Sequence, residues 1–278
     1  MTISANTLPS SDSAKGIVEV GFVQTDGRTK LKHLYQTTPL RVLFPNVARG
    51  DVPVAALTTV SGGLVGGDVM EIDVRVGPDA SAMVMAQAAE KVYRSNGPDC
   101  LIDVSLEVEA GGWLEWLPQE AIVFDGARLR RQLTLKAAAG ANFLAGEMLI
   151  FGRTAMGEEL KRGLLRDAWS VELDGSLVWM DALHLEDDIA EKLNHPACFN
   201  GARACATAVA SNPDCLDLAR TLIADDAVEA GATVVNGLLI VRWLSVDAPA
   251  LRRSFENFWC GYRAAEGLPA QLPRLWHI

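Results

Sequence analysis

Two short stretches concentrate side chains that could bind an ion or move a proton. The run Gln87-Ala88-Ala89-Glu90-Lys91-Val92-Tyr93-Arg94-Ser95 brings together an amide, an acid, a base, a phenol and a guanidinium. The run Trp113-Leu114-Glu115-Trp116-Leu117-Pro118-Gln119-Glu120 leads through Ile122 and Phe124 to Asp125, setting two indoles beside three acids or amides. A carboxylate pair such as Glu120 and Asp125 has the chemistry for general acid/base work. Surface acids are more often solvated or salt-bridged, so the pair alone does not make an active site.

Other motifs narrow the choice. Ser61-Gly62-Gly63-Leu64-Val65-Gly66-Gly67-Asp68 is rich in glycine, yet no Lys-Ser/Thr follows and a strand pattern comes next, so it is not a phosphate-binding loop. It reads as a tight turn, with Asp68 capping it in preference to contacting a cation. His195-Pro196-Ala197-Cys198, with Cys205 nearby, offers one nitrogen and two sulfurs. Structural zinc sites use tighter Cys/His pairs, so no stable metal site is expected there. His33, His184 and His277 are isolated. The sequence has no Gly-x-Ser-x-Gly elbow, no His-Glu-x-x-His and no dinucleotide fingerprint before a helix. The reading from chemistry alone is therefore a non-enzyme, with a hydrolase or lyase using Glu120 and Asp125 as the rival. A metal-storage protein is a further rival, disfavoured by the poor ligand inventory.

The elements that must position these residues are mostly strands. Met70, Ile72, Val74 and Val76 alternate with Glu71, Asp73 and Arg75, and Ile102, Val104, Leu106 and Val108 alternate with Asp103, Ser105, Glu107 and Glu109. A period of two marks a half-buried strand. Further strands are expected over 17–25, 40–44, 54–60, 129–135, 165–173 and 177–185. Four segments, 73–92, 104–124, 132–151 and 169–185, share a strand–turn–strand plan anchored on Val76, Val108, Leu135 and Leu173. That plan predicts a β-helix-like stack of layers. In such a stack Gln87, Gln119 and Glu147, which follow their anchors by 11, 11 and 12 residues, fall at matching places.

The last third changes character. A helix is expected over 214–224 after Asn212-Pro213, an unbroken strand over 234–244, and a longer helix from Pro249 with Asp247 as its cap. Leu251, Phe255, Phe258 and Tyr262 fall on one face of it, and Gly267 and Pro269 end it. The expected fold is thus mainly β, with about two helices towards the C-terminus. Residues 1–16 read as a flexible tail and 17–278 as a single β-rich domain.

Composition bounds the partners. The net charge of −10 disfavours nucleic acid. No segment approaches the ~18 apolar residues of a membrane helix, and the Ser/Thr-rich start resembles neither a signal peptide nor a lipidation site. Five scattered cysteines suit free thiols, so the expected compartment is the cytoplasm.

These stretches together resemble the urease accessory protein family UreD, also called UreH. The carrying residues are Thr38-Pro39-Leu40-Arg41, the Gly62–Asp68 turn, Gln87 to Ser95, Leu114 to Phe124, Gly152-Arg153 with Gly157-Glu158, and Leu272-Pro273-Arg274-Leu275-Trp276. The resemblance spans Gly16 to the C-terminus, and Ala86 and Glu90 depart from it where hydroxyl residues are expected. It implies a non-catalytic protein that binds a helical UreF-type partner, a nickel-carrying UreG-type GTPase and the urease apoprotein. Nickel would pass through its interior, no cofactor would be held tightly, and GTP would sit on the partner. On this reading Asp68, Gln87, Glu120, Asp125 and Glu147 are candidates to line the nickel path. Weak oxygen ligands suit transit better than a Cys/His cage. Trp259, Leu275 and Trp276 are candidate anchors for a partner.

Overall fold

The computed structural model describes residues 13–277. The expected tail falls largely on residues 1–12, outside the described residues; by Lys15 the chain is already in a strand. The first strands are β1 (Lys15–Thr25), β2 (Arg28–Gln36), β3 (Leu40–Leu43), β4 (Val54–Thr59), β5 (Val69–Val76), β6 (Ser81–Ala86) and β7 (Glu90–Val92). They are followed by β8 (Cys100–Val108), β9 (Trp113–Leu117), β10 (Ala121–Val123), β11 (Arg128–Ala137), β12 (Asn142–Phe151), β13 (Leu164–Leu173) and β14 (Ser176–Glu186). The remainder is α1 (Ile189–Asn194), β15 (Ala204–Ala210), α2 (Leu216–Leu222), β16 (Glu229–Val235), β17 (Leu238–Ser245) and α3 (Ala248–Ala265).

The strands form a β-solenoid of about four turns. One sheet runs β14-β13-β11-β8-β5-β1-β2, and the other runs β16-β17-β15-β12-β9-β6-β4-β3. Each turn contributes one strand to each sheet. Strands β5, β8, β11 and β13 are therefore parallel, as are β4, β6, β9 and β12. A short third ladder of β7, β10 and the end of β12 forms where the second sheet turns a corner.

Register explains how the repeat was legible and where it slipped. Val76 pairs with Val108 as expected, but Val108 pairs with Ala137 rather than Leu135, and Ala137 pairs with Leu173. The fourth repeat segment is not a coil: β13 and β14 form an antiparallel hairpin within the first sheet. The expected long strand over 234–244 is also a hairpin, of β16 and β17, reversed at Asn236-Gly237, both at positive φ. Asn-Gly is the dipeptide that such two-residue turns favour. Helix α3 begins with Pro249 in its first turn, but Asp247, at the N-cap position, makes no side-chain capping bond.

Two cores result from the alternation. Val74, Leu106, Leu133, Leu114, Trp116 and Phe143 lie in the first, between the sheets. Met83, Met85, Leu144 and Met148 point the other way and pack under Phe255, Phe258, Trp259 and Tyr262 of α3. Strand β12 is buried on both faces because it separates the two cores.

Gly146 makes the close approach of α3 possible. A Cβ there would lie 2.6 Å from Phe255 Cζ and 2.8 Å from Trp259 Cζ3. Gly146→Val should therefore destabilise the chain by about 1–3 kcal/mol through overpacking, measured by urea denaturation.

Candidate functional site

The inward rows of three strands converge on one buried ion cluster. In β11, Leu129, Arg131, Leu133 and Leu135 all face inward, so a single guanidinium interrupts an apolar row. Its direct cross-strand partner on β13 is Asp167. Arg131 Nε and Nη2 donate to Asp167 Oδ1 and Oδ2 at 2.7 and 3.0 Å, a two-pronged contact. From the opposite sheet, Glu147 follows Phe143 and Ala145 on the inward face of β12, and its Oε2 meets Arg131 Nη1. Trp116 Nε1 donates to Glu147 Oε1 at 2.9 Å. Oε2 makes no hydrogen bond, so its only compensation is the ion contact with Arg131.

The electrostatics of this cluster are set by burial. Desolvation lifts the Glu147 carboxyl above the usual carboxylate range, and Arg131 offsets this only in part. Burial opposes the charge on Arg131, but Asp167 and then Glu147 outweigh it and hold the guanidinium protonated. Cys205 stands nearby, its thiol pushed up to about 12 by desolvation.

Two cavities flank the cluster. One, of about 210 Å³, runs between the sheets from Thr59, Gly63 and Glu90 past Trp116 to Arg131 and Glu147. The other, of about 480 Å³, begins at Glu147 and Asp167 and extends past Cys205 to Asp181 and Arg242. Glu147 lines both, so the ion triad stands at their junction. At the far end of the first cavity Glu90 accepts a hydrogen bond from the Thr59 hydroxyl, and burial raises its carboxyl above the ordinary range.

The other residues proposed to line a path have different work. Asp68 is buried, with Oδ1 accepting from Ala14 N at 2.8 Å and Oδ2 from Val65 N at 2.9 Å, so it pins the glycine-rich turn. Asp125 Oδ1 accepts from Lys161 N and Arg162 N at 2.9 and 3.1 Å and holds that loop. Glu120 is bound to Arg252 on α3 and lines neither of the two cavities. Gln87 and Gln119 sit at the corner between ladders, as their spacing suggests. Gln119 accepts from Arg252 Nη1 at 2.6 Å, and Gln87 is half-buried outside both cavities. Glu120 and Asp125 thus answer to separate partners and do not form an acid pair in one cleft. His195 Nδ1 accepts from Ala197 N at 3.1 Å, and Cys198 is an exposed free thiol. Among the described residues no three His, Cys, Asp or Glu side chains are grouped to hold a metal ion.

The aromatic anchors also need correction. Trp259 and Trp276 are fully buried and Leu275 is half-buried, so the two indoles are core residues and not exposed contacts. Trp259 Nε1 donates to Glu115 Oε2 at 2.7 Å, and Trp276 stacks on Phe255 with centroids 6.3 Å apart. Arg252 lies over the Trp276 ring at 4.3 Å. Glu115, Arg263 and Asp51 form a second buried charged cluster under α3. Burial raises the Glu115 carboxyl despite Arg263.

Fold and interior define a β-solenoid protein with a charged, hollow core and a helical cover on one face. The sequence model described as "UreD urease accessory protein" matches residues 14–277. The chain belongs to that family. A protein named urease accessory protein UreD from Magnetococcus marinus is 45% identical over 99% of each chain. Its namesake from Azorhizobium caulinodans is 39% identical, covering 97% of this chain and 98% of its own. A third, from a Methylobacterium species, is 40% identical over 96% of each. No described helix is long and apolar enough to cross a membrane.

Two outcomes test this account. The raised Glu147 carboxyl binds its proton more tightly folded than unfolded. The stability it contributes is therefore present in acid and lost as pH rises through the folded value. Relative to Glu147→Gln, the unmodified chain should lose thermal stability from about pH 5 to about pH 8, measured by calorimetry. Trp276→Ala should cost about 3–5 kcal/mol in chemical denaturation, because the ring fills a closed site; a solvent-facing anchor would cost almost nothing.

Proposed function

We propose that this chain is a maturation scaffold for urease that gives nickel a passage towards the apoprotein. The observation that carries this reading is the pair of cavities meeting at Glu147 inside the stacked sheets. Carboxylates spaced along such an interior, Glu90 at one end, Glu147 and Asp167 at the junction and Asp181 beyond, offer oxygen ligands that a hydrated divalent cation can exchange in turn. Family membership supplies the enzyme served and supports a non-catalytic role. In this reading the chain works in the cytoplasm with a helical UreF-type protein, a UreG-type GTPase and apo-urease. GTP is bound and hydrolysed on the GTPase, and nickel is cargo.

Urease activity in cells carrying a urease operon, with and without this chain, tests the role. Activity should appear only with the chain present; equal activity in both, with the chain expressed, would remove the maturation role. Glu147→Ala should slow urease activation while leaving capture of the partners in pull-down unchanged. Loss of partner capture together with loss of solubility would show Glu147 to be structural only.

A further inference from the structure

The Arg131 guanidinium sits between two buried carboxylates. It is only 6% exposed, and it spans from both oxygens of Asp167 on one sheet to Oε2 of Glu147 on the other. Glu147 is 3% exposed and its Oε2 has no hydrogen-bond donor, so that oxygen is aimed at the junction with a single ionic partner. Cys205 lines the same cavity as Glu147 and Asp167. Without Arg131, two buried carboxylates would face one another with a thiol beside them, carrying a charge that a single divalent cation neutralises. A buried acid pair stripped of its counter-ion takes up protons or a metal. A guanidinium cannot be titrated away, so it competes with any incoming metal at every working pH.

We infer that Arg131 is a built-in counter-ion occupying a latent divalent-cation site between the Glu147 and Asp167 carboxylates, and that it keeps this junction from retaining metal. The inference rests on the passage reading above and adds to it a reason why cargo is released. A passing cation must displace the guanidinium, which returns to its carboxylates when the ion leaves. Binding at the junction is weakened by the Arg131 contacts that must be broken, so the site conducts without trapping.

The test is nickel retention by the purified full chain. After incubation with nickel(II) chloride and desalting, Arg131→Gln should hold about one equivalent of metal where the unmodified chain holds almost none. Nickel should also raise the melting temperature of the variant by several degrees and leave the unmodified chain unchanged. Arg131→Gln combined with Glu147→Gln should lose both effects, because a ligand is gone. If Arg131→Gln is insoluble when expressed without metal, expression with nickel should recover it. A folded variant that keeps no more nickel than the unmodified chain overturns the inference, as does a variant that nickel fails to rescue. The passage reading fails separately: Glu147→Gln alone would then activate urease at the unmodified rate, whatever Arg131→Gln retains.

Discussion

Parallel, in-register stacking of two sheets is the constraint on which the remaining features depend. A strand in the stack has no freedom to turn one side chain away from the row it belongs to, because register and pleat fix its neighbours on the adjoining rungs. A charge placed in an inward row must therefore be compensated by the next rung or by the facing sheet. Arg131 uses both, through Asp167 and Glu147. The second core repeats the logic at Glu115, which faces Arg263 across the sheet–helix interface. Indole N–H groups serve both clusters: Trp116 for Glu147, and Trp113 with Trp259 for Glu115. Large rings thus fill space and satisfy buried oxygens together, which apolar side chains cannot do.

The same constraint bears on the passage proposed above. Cavities between stacked sheets lie along the stack, at right angles to the strands, so successive rungs contribute successive lining residues. The acids are distributed, one or two at a level, instead of gathered around a point. Such an interior is suited to exchange of a cation between weak sites and unsuited to storage. The cysteines fit the same picture: Cys100 and Cys205 are thiols pushed up to about 12 by burial, which disfavours the thiolate that tight soft-metal binding needs.

Much of this was legible in the sequence where one period dominates. The alternation over Met70–Val76 and Ile102–Val108 gave strands, register and inward faces together, and the repeat predicted the stack. The spacing that relates Gln87 to Gln119 holds in the structure, at equivalent gaps between β6 and β7 and between β9 and β10, whereas Glu147 lies within β12. Arg131 and Asp167 were missed although the signal was present: Leu129, Leu133 and Leu135 bracket Arg131, and Leu165, Trp169 and Val171 bracket Asp167, at a period of two. A charged residue inside an apolar row reads as a break in the pattern, and only the facing strand explains it. Asp68 was legible as the cap of the glycine-rich turn, where it accepts from Val65 N, but its second partner, Ala14 N, lies 54 residues away and was not. Asp125 was not legible as a loop-holder, because its partners are the backbone N–H groups of Lys161 and Arg162. Trp259 and Trp276 looked like surface anchors because Gly146, the residue that lets α3 settle onto β12, lies more than a hundred positions away in sequence.

The antiparallel strands at both ends give the stack a defined length. β1 with β2 and β3 with β4 close one end, while β13 with β14 and β12 with β15 close the other. Each reversal stops the winding, so the number of coils is fixed by the chain itself. With sheet strands about 4.8 Å apart, four parallel rungs set an internal distance of about 15 Å. The winding in this sense fixes the separation of the two capped ends. Gaining or losing one coil would change that distance by about 5 Å while leaving the surfaces at both ends intact.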